Sequence, residues 1–159
     1  MKDVKTQKQK ARSAPVCNEM KLEFPSHSRN EAFARAAAGA FIASLDPTAA
    51  ELSDIKCALS EAVTNCTVHA YPDRIGIIKL SVRLREDGTV VITVKDRGVG
   101  IADTKKAREP LFTPDAAGER SGMGFTVMEG FSDSVRLTSK PGKGTTVTLT
   151  RKLAGKSSH

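Results

Sequence analysis

No stretch of this 159-residue sequence approaches the roughly 18 consecutive apolar residues of a membrane-spanning helix, which excludes a helical membrane protein. The charged N-terminus is not followed by an apolar segment, so no secretory signal is expected. Cysteine is scarce. Cys17, Cys57 and Cys66 are odd in number and lack paired spacing, which argues against a disulfide framework or a zinc site. Cys57 and Cys66 fall within an apolar helical pattern and are expected to be small buried thiols. The expected compartment is a reducing cytoplasm. The P-loop pattern G-x-x-x-x-G-K-[ST] is absent, and there is no internal repeat.

Acidic residues are in the minority. Lys and Arg number 25 and Asp and Glu 18, a formal charge of +7. Taken whole, that surplus invites a nucleic-acid or membrane-surface reading. Its distribution argues otherwise. Lys2, Lys5, Lys8, Lys10 and Arg12 stand against Asp3 alone at the N-terminus, and Arg151, Lys152 and Lys156 lie at the C-terminus. The body from 19 to 149 is balanced, so neither direct nucleic-acid binding nor a membrane partner is expected of it. With 39% hydrophobic residues there is enough to build one core. The expected organisation is a disordered basic extension over 1–18, one domain over 19–151, and a basic tail over 152–159.

Within the body, the alternation from Met20 to Phe24 predicts a half-buried strand ended by Pro25. Ser28 to Glu31 has a capping-box pattern, and Phe33, Ala37, Phe41 and Ile42 follow at helical spacing. A second box, Thr48 to Glu51, opens a helix striped by Leu52, Ile55, Leu59, Ala62, Val63 and Cys66, which stops by Tyr71-Pro72. Strand patterns over 75–85 and 89–95 flank the hairpin signal Glu86-Asp87-Gly88. Residues 102–121 read as a long functional loop or lid. A helix start follows at Gly122-Met123-Gly124-Phe125, and two strands over 134–139 and 144–151 close the domain. This order predicts an α+β fold: a two-layer sandwich of a mostly antiparallel mixed sheet with helices on one face.

Four elements carry chemistry. Glu61 and Asn65 lie four apart on the second helix and share a face, with His69 in the same row. Alone, that pair describes a solvated polar face equally well. Asp96-Arg97-Gly98-Val99-Gly100 follows an apolar strand. A carboxylate there can accept a hydrogen bond from an exocyclic amine such as that of adenine, and the glycines let the backbone approach a ligand. Gly122 and Gly124 head a helix, a seat for phosphate. Lys105, Lys106, Arg108 and Arg120 in the preceding loop are candidate phosphate contacts, although most are expected to be solvated. Thr145 and Thr146 enter the last strand, where a hydroxyl can join Asp96 in reading a base.

Taken in order, E-x-x-x-N, D-x-G-x-G, a lid, G-x-G and G-T-T resemble the Bergerat-type nucleotide fold shared by gyrase-type ATPases, Hsp90, histidine kinases and MutL. The runs 18–25, 30–35, 60–65, 69–71 and 120–129 are similar to the anti-sigma F factors (stage II sporulation protein AB). The resemblance covers about 18–151. It implies a protein serine/threonine kinase and anti-sigma factor that uses ATP with Mg²⁺. Such a protein would hold a sigma F-type factor from RNA polymerase and phosphorylate a serine of an anti-anti-sigma partner (stage II AA type). It also implies a homodimer. By the same resemblance Glu61 is the general base, Asn65 the Mg²⁺ ligand, and Asp96 with Thr145 and Thr146 the adenine reader. Gly98, Gly100, Gly122 and Gly124 shape the phosphate pocket. Arg35 and Arg120 face protein partners, although Arg120 could equally touch the γ-phosphate. Two departures stand out: the segment from Pro72 to Gly76 is tight, and Cys66-Thr67 replaces a small apolar pair after Asn65. The alternatives are a switch kinase for a general stress sigma factor, a non-catalytic ATP-gated module, and a detached histidine-kinase domain. The presence of a base at Glu61 argues against the second. The lack of a separate phosphoacceptor helix argues against the third.

Overall fold

In the computed structural model, which describes residues 12–109 and 124–155, alternating apolar residues build a five-stranded sheet. Its strands are β1 (Val16–Pro25), β2 (Ile77–Arg85), β3 (Thr89–Asp96), β4 (Ser134–Lys140) and β5 (Gly144–Lys152). The strand order is β1-β2-β3-β5-β4, and each pairing is antiparallel. The sheet is therefore antiparallel throughout rather than mixed. Register lines up the inward residues in rows. Leu22, Leu80, Val94, Val147 and Leu137 form one row, and Met20, Val82, Ile92, Leu149 and Val135 the next. The row beyond them runs Phe24, Ile78, Asp96. The period of two thus aims the Asp96 side chain at the buried face, one step past the last apolar position of β3.

Helices α1 (Asn30–Ile42), α2 (Ala49–Asn65) and α4 (Gly124–Gly130) cover that face, and the short α3 (Thr104–Ala107) lies at the root of the long loop. From α2, Ile55, Ala58, Leu59, Ala62 and Val63 are buried against the sheet. Burying each such Leu, Ile or Val contributes about 1.5–3 kcal/mol. The Thr48–Glu51 capping box forms in full: Glu51 N–H donates to Thr48 Oγ1 and Thr48 N–H to Glu51 Oε2. Glu51 Oε1 also accepts the Ala154 N–H, and Leu153 is buried. The first residues of the expected tail are therefore docked on the domain. Among the described residues, no helix is long and apolar enough to cross a membrane.

Several expectations are corrected. Strand β1 begins at Val16, so 16–18 belong to the sheet rather than to the extension. β2 runs to Arg85, and its edge offers unpaired backbone groups that Val16 and Asn18 fill, with Glu86 N–H bonding the Pro15 carbonyl. The Ser28 box does not form. Arg29 occupies the cap position in a helical conformation without a side-chain bond, and the Asn30 amide turns back to the Pro25 carbonyl. α1 buries Ala34, Ala38, Gly39 and Ile42, while Phe33 is exposed. Cys57 is exposed, and only Cys66 of the helical pair is buried.

Candidate functional site

α2 does not end cleanly. After Asn65 it widens into a π-turn over Cys66–Ala70, a local expansion often found at functional sites. The turn lays Cys66 and Ala70 against the end of β3. Asp96, only 3% exposed, receives three donors there. Its Oδ1 accepts the Gly98 N–H at 2.9 Å and the Thr145 N–H at 3.2 Å, while Oδ2 accepts the Cys66 thiol at 3.3 Å. Burial, and after it the neighbouring Asp96 charge, push the Cys66 thiol well above its ordinary range, so it remains a protonated donor. A carboxylate offers about four lone-pair sites, so Oδ2 keeps acceptor capacity for a ligand N–H.

The glycines of this loop are dictated by contact. A Cβ on Gly98 would overlap the Ala70 carbonyl, whose oxygen also accepts the Val99 N–H at 2.9 Å. Gly100 has φ +74 and faces the Lys140 carbonyl; Gly144 has φ +90 and faces the Asp96 carbonyl. Both positions need glycine on conformational and steric grounds. Two side chains complete the loop. The Tyr71 hydroxyl accepts the Arg97 N–H at 2.8 Å and donates to the Ile77 carbonyl at 2.8 Å. Ser139 Oγ accepts the Ile101 N–H at 2.7 Å and lies 2.8 Å from Thr145 Oγ1.

Glu61 and Asn65 project from the last turns of α2 toward the head of α4. A Cβ built on Gly124 would stand 3.2 Å from Glu61 Oε2 and 3.5 Å from Asn65 Oδ1. Both side chains therefore close on the backbone at Gly124, where a Cβ would be crowded. Asn65 would supply Mg²⁺ with a neutral hard oxygen of the kind it takes alongside phosphate oxygens and water. Among the described residues no cluster of three or more His, Cys, Asp or Glu is placed to hold a metal.

Strand alternation separates the two threonines. Thr145 shares the covered face with Val147 and Leu149, whereas Thr146 points to the other face in register with Lys95 and Thr138. Arg35 lies beside this region, half exposed, with Nη1 bonded to Glu31 Oε1 at 3.2 Å and to Ser60 Oγ at 3.4 Å. Arg108 is committed elsewhere: Nε and Nη2 grip Glu129 Oε1 at 2.9 and 2.7 Å, and Nη2 also reaches the Val135 carbonyl. Gly122 and Arg120 lie outside the described residues. Cys66, Tyr71 and Ser139 were not anticipated as site residues. For Cys66 alone the sequence held a signal, its departure from a small apolar pair next to Asn65.

A buried carboxylate at a strand end, a glycine loop around it, and a carboxylate–amide pair at a helix head are the parts of an ATPase-type nucleotide site. Residues 24–151 match the family model described as the histidine kinase-like ATPase domain. The anti-sigma F factor of Pasteuria penetrans is 54% identical over 138 residues, covering 86% of this chain and 91% of that protein. That of Bacillus subtilis (strain 168) is 51% identical over 138 residues, covering 86% and 94%. The chain belongs to the histidine kinase-like ATPases and, within them, to the anti-sigma F factors. Solved structures agree on the fold. The RsbU and RsbW domains of a Mycobacterium tuberculosis protein align with a TM-score of 0.64 at 23% identity, covering 86% of this chain and 32% of that one. The histidine kinase domain of an Erythrobacter litoralis blue-light activated kinase aligns at 0.54 and 20% identity, covering 82% and 62%.

Proposed function

We propose that this chain is a cytoplasmic, homodimeric switch that binds a sigma F-type factor and, with ATP and Mg²⁺, phosphorylates a serine of an anti-anti-sigma partner. The observation that carries the reading is the convergence of Glu61 and Asn65 at Gly124, the head of α4. A module that only bound nucleotide would have no use for a carboxylate there.

Asp96, held by the Gly98 and Thr145 amides, reads the adenine amine through Oδ2. Thr145 belongs to this end of the pocket, and Thr146 acts only through its backbone in β5. Gly98 and Gly100 shape the loop by packing on the Ala70 and Lys140 carbonyls, and Gly122 and Gly124 are assigned to the phosphates by the family motif. Asn65 Oδ1 holds Mg²⁺, which when bound neutralises phosphate oxygens. Glu61 takes the proton of the partner's serine hydroxyl as its oxygen bonds to the γ-phosphorus and the bond from that phosphorus to the bridging oxygen breaks, releasing ADP. Phosphoryl transfer depends on positioning and charge neutralisation, which this arrangement supplies. Arg35, oriented by Glu31 and bonded to Ser60, offers the rest of its guanidinium to partner carboxylates; Arg120 takes a partner or the γ-phosphate.

The test is incubation with γ-labelled ATP, Mg²⁺ and a panel of anti-anti-sigma proteins, followed by mapping of the label. Phosphoserine on one panel member is the expected result. No transfer to any of them, or acid-labile phosphohistidine, would refute the kinase reading. Co-purification with and without ATP then identifies the sigma factor held.

A further inference from the structure

The Cys66 thiol meets the carboxylate that reads the base. We propose that Cys66 is a positioning residue for nucleobase selection, holding Oδ2 of the Asp96 carboxylate where it is presented to an exocyclic amine. This rests on the reading of Asp96 given above.

The geometry assigns each oxygen a different role. Oδ1 is pinned by two backbone amides, Gly98 at 2.9 Å and Thr145 at 3.2 Å. These two bonds hold the carboxylate from the loop side. Oδ2 has one donor among the described residues, the Cys66 thiol at 3.3 Å. That third contact holds Oδ2 from the α2 side. A thiol is a weak donor, so it orients Oδ2 without exhausting its acceptor capacity. The contact is sheltered, since Cys66 is 4% and Asp96 3% exposed, and a buried bond of this kind is not diluted by water. The π-turn that opens at Cys66 delivers the sulfur to this point, immediately after Asn65. One turn of chain thereby holds both the proposed metal ligand and the group that orients the base reader.

The experiment compares two probes on three proteins. The probes are ATP and purine riboside triphosphate, which lacks the 6-amino group. The proteins are the full-length parent, Cys66→Ala and Cys66→Ser, each measured by equilibrium titration. In Cys66→Ala the affinity for ATP should fall roughly five-fold, the size expected for one hydrogen bond, while purine riboside triphosphate changes by less than about two-fold. Cys66→Ser, which restores a donor, should recover most of the loss for ATP. A parallel loss for both probes would reduce Cys66 to a packing residue and overturn the proposal. Unchanged ATP affinity in Cys66→Ala would also overturn it. Asp96→Asn is the control for the underlying reading and should erase the preference for ATP over the amine-free probe. If Asp96→Asn keeps that preference, the base assignment of Asp96 fails and the role of Cys66 with it. If Asp96→Asn erases the preference while Cys66→Ala does not reduce it, the proposal for Cys66 alone is wrong.

Discussion

The Tyr71 hydroxyl lies 2.8 Å from the Arg97 backbone nitrogen, 26 residues further along the chain, and the same oxygen donates to the Ile77 carbonyl at 2.8 Å. One buried phenol thus ties the end of the π-turn to the start of β2 and to the residue after Asp96. It holds the glycine loop at its entry, while Ser139 holds it at Ile101. The position of the Asp96 carboxylate depends on both.

Tyr71→Phe keeps the ring and removes both bonds. It should cost about 0.5–1.5 kcal/mol of folding stability, the net worth of a typical hydrogen bond, because both bonds are only part-buried and water can take the place of the phenol. Nucleotide affinity should fall as well, since the loop carrying Asp96 and Gly98 is loosened. Denaturant midpoints with and without ATP check this. A variant with parental stability and affinity would show that the phenol only fills space.

Gly144→Ala tests the crowding of the loop. At φ +90, with the Asp96 carbonyl where a Cβ would stand, alanine is strained and clashes. The expected cost is about 2 kcal/mol or more, with loss of nucleotide binding as Thr145 shifts away from Asp96. Calorimetric unfolding and ATP titration measure the two effects.

Glu51 predicts a pH dependence. The Thr48 amide, then the Ala154 amide, hold its carboxyl below the ordinary carboxylate range. A lowered folded pKa means that the unfolded chain binds the proton more readily. The stabilisation is therefore complete above the unfolded value of about 4.3, and is lost as pH falls through the folded value. Glu51→Gln should be less stable than the parent by about 1.5 kcal/mol near neutral pH, and the gap should narrow below about pH 4. Urea midpoints at several pH values measure that gap; a constant difference would contradict the assignment.

Much of this was legible in the sequence, and the failures have physical causes. The strands were legible because apolar residues mark their buried positions: Ile78, Leu80, Val82 and Leu84 alternate with exposed or half-buried residues in β2, while Val90-Val91-Ile92 opens β3 as a continuous buried run. The second capping box was legible because its partners lie three residues apart. In α1, Ile42 is buried as its spacing predicts, but Phe33 is exposed, because the helix closes on α2 through Ala34, Ala38 and Gly39, where a Cβ on Gly39 would sit 3.2 Å from Lys56. Glu61 and Asn65 could be paired from helical spacing, and Asp96 from its place at a strand end. The Cys66–Asp96 and Tyr71–Arg97 bonds span 30 and 26 residues, and no local pattern announces them. The separation of Thr145 from Thr146 depends on strand register, which the pair of letters alone does not carry.

Glu61→Ala separates the base of the proposed serine kinase from nucleotide binding. The variant is titrated with ATP and Mg²⁺ and, in the same preparation, assayed with γ-labelled ATP and the proposed anti-anti-sigma partner. With Glu61 as the base, ATP affinity stays within about two-fold of the parent and phosphoryl transfer falls by about 10²-fold or more. Transfer at the parental rate with ATP affinity intact would contradict that assignment.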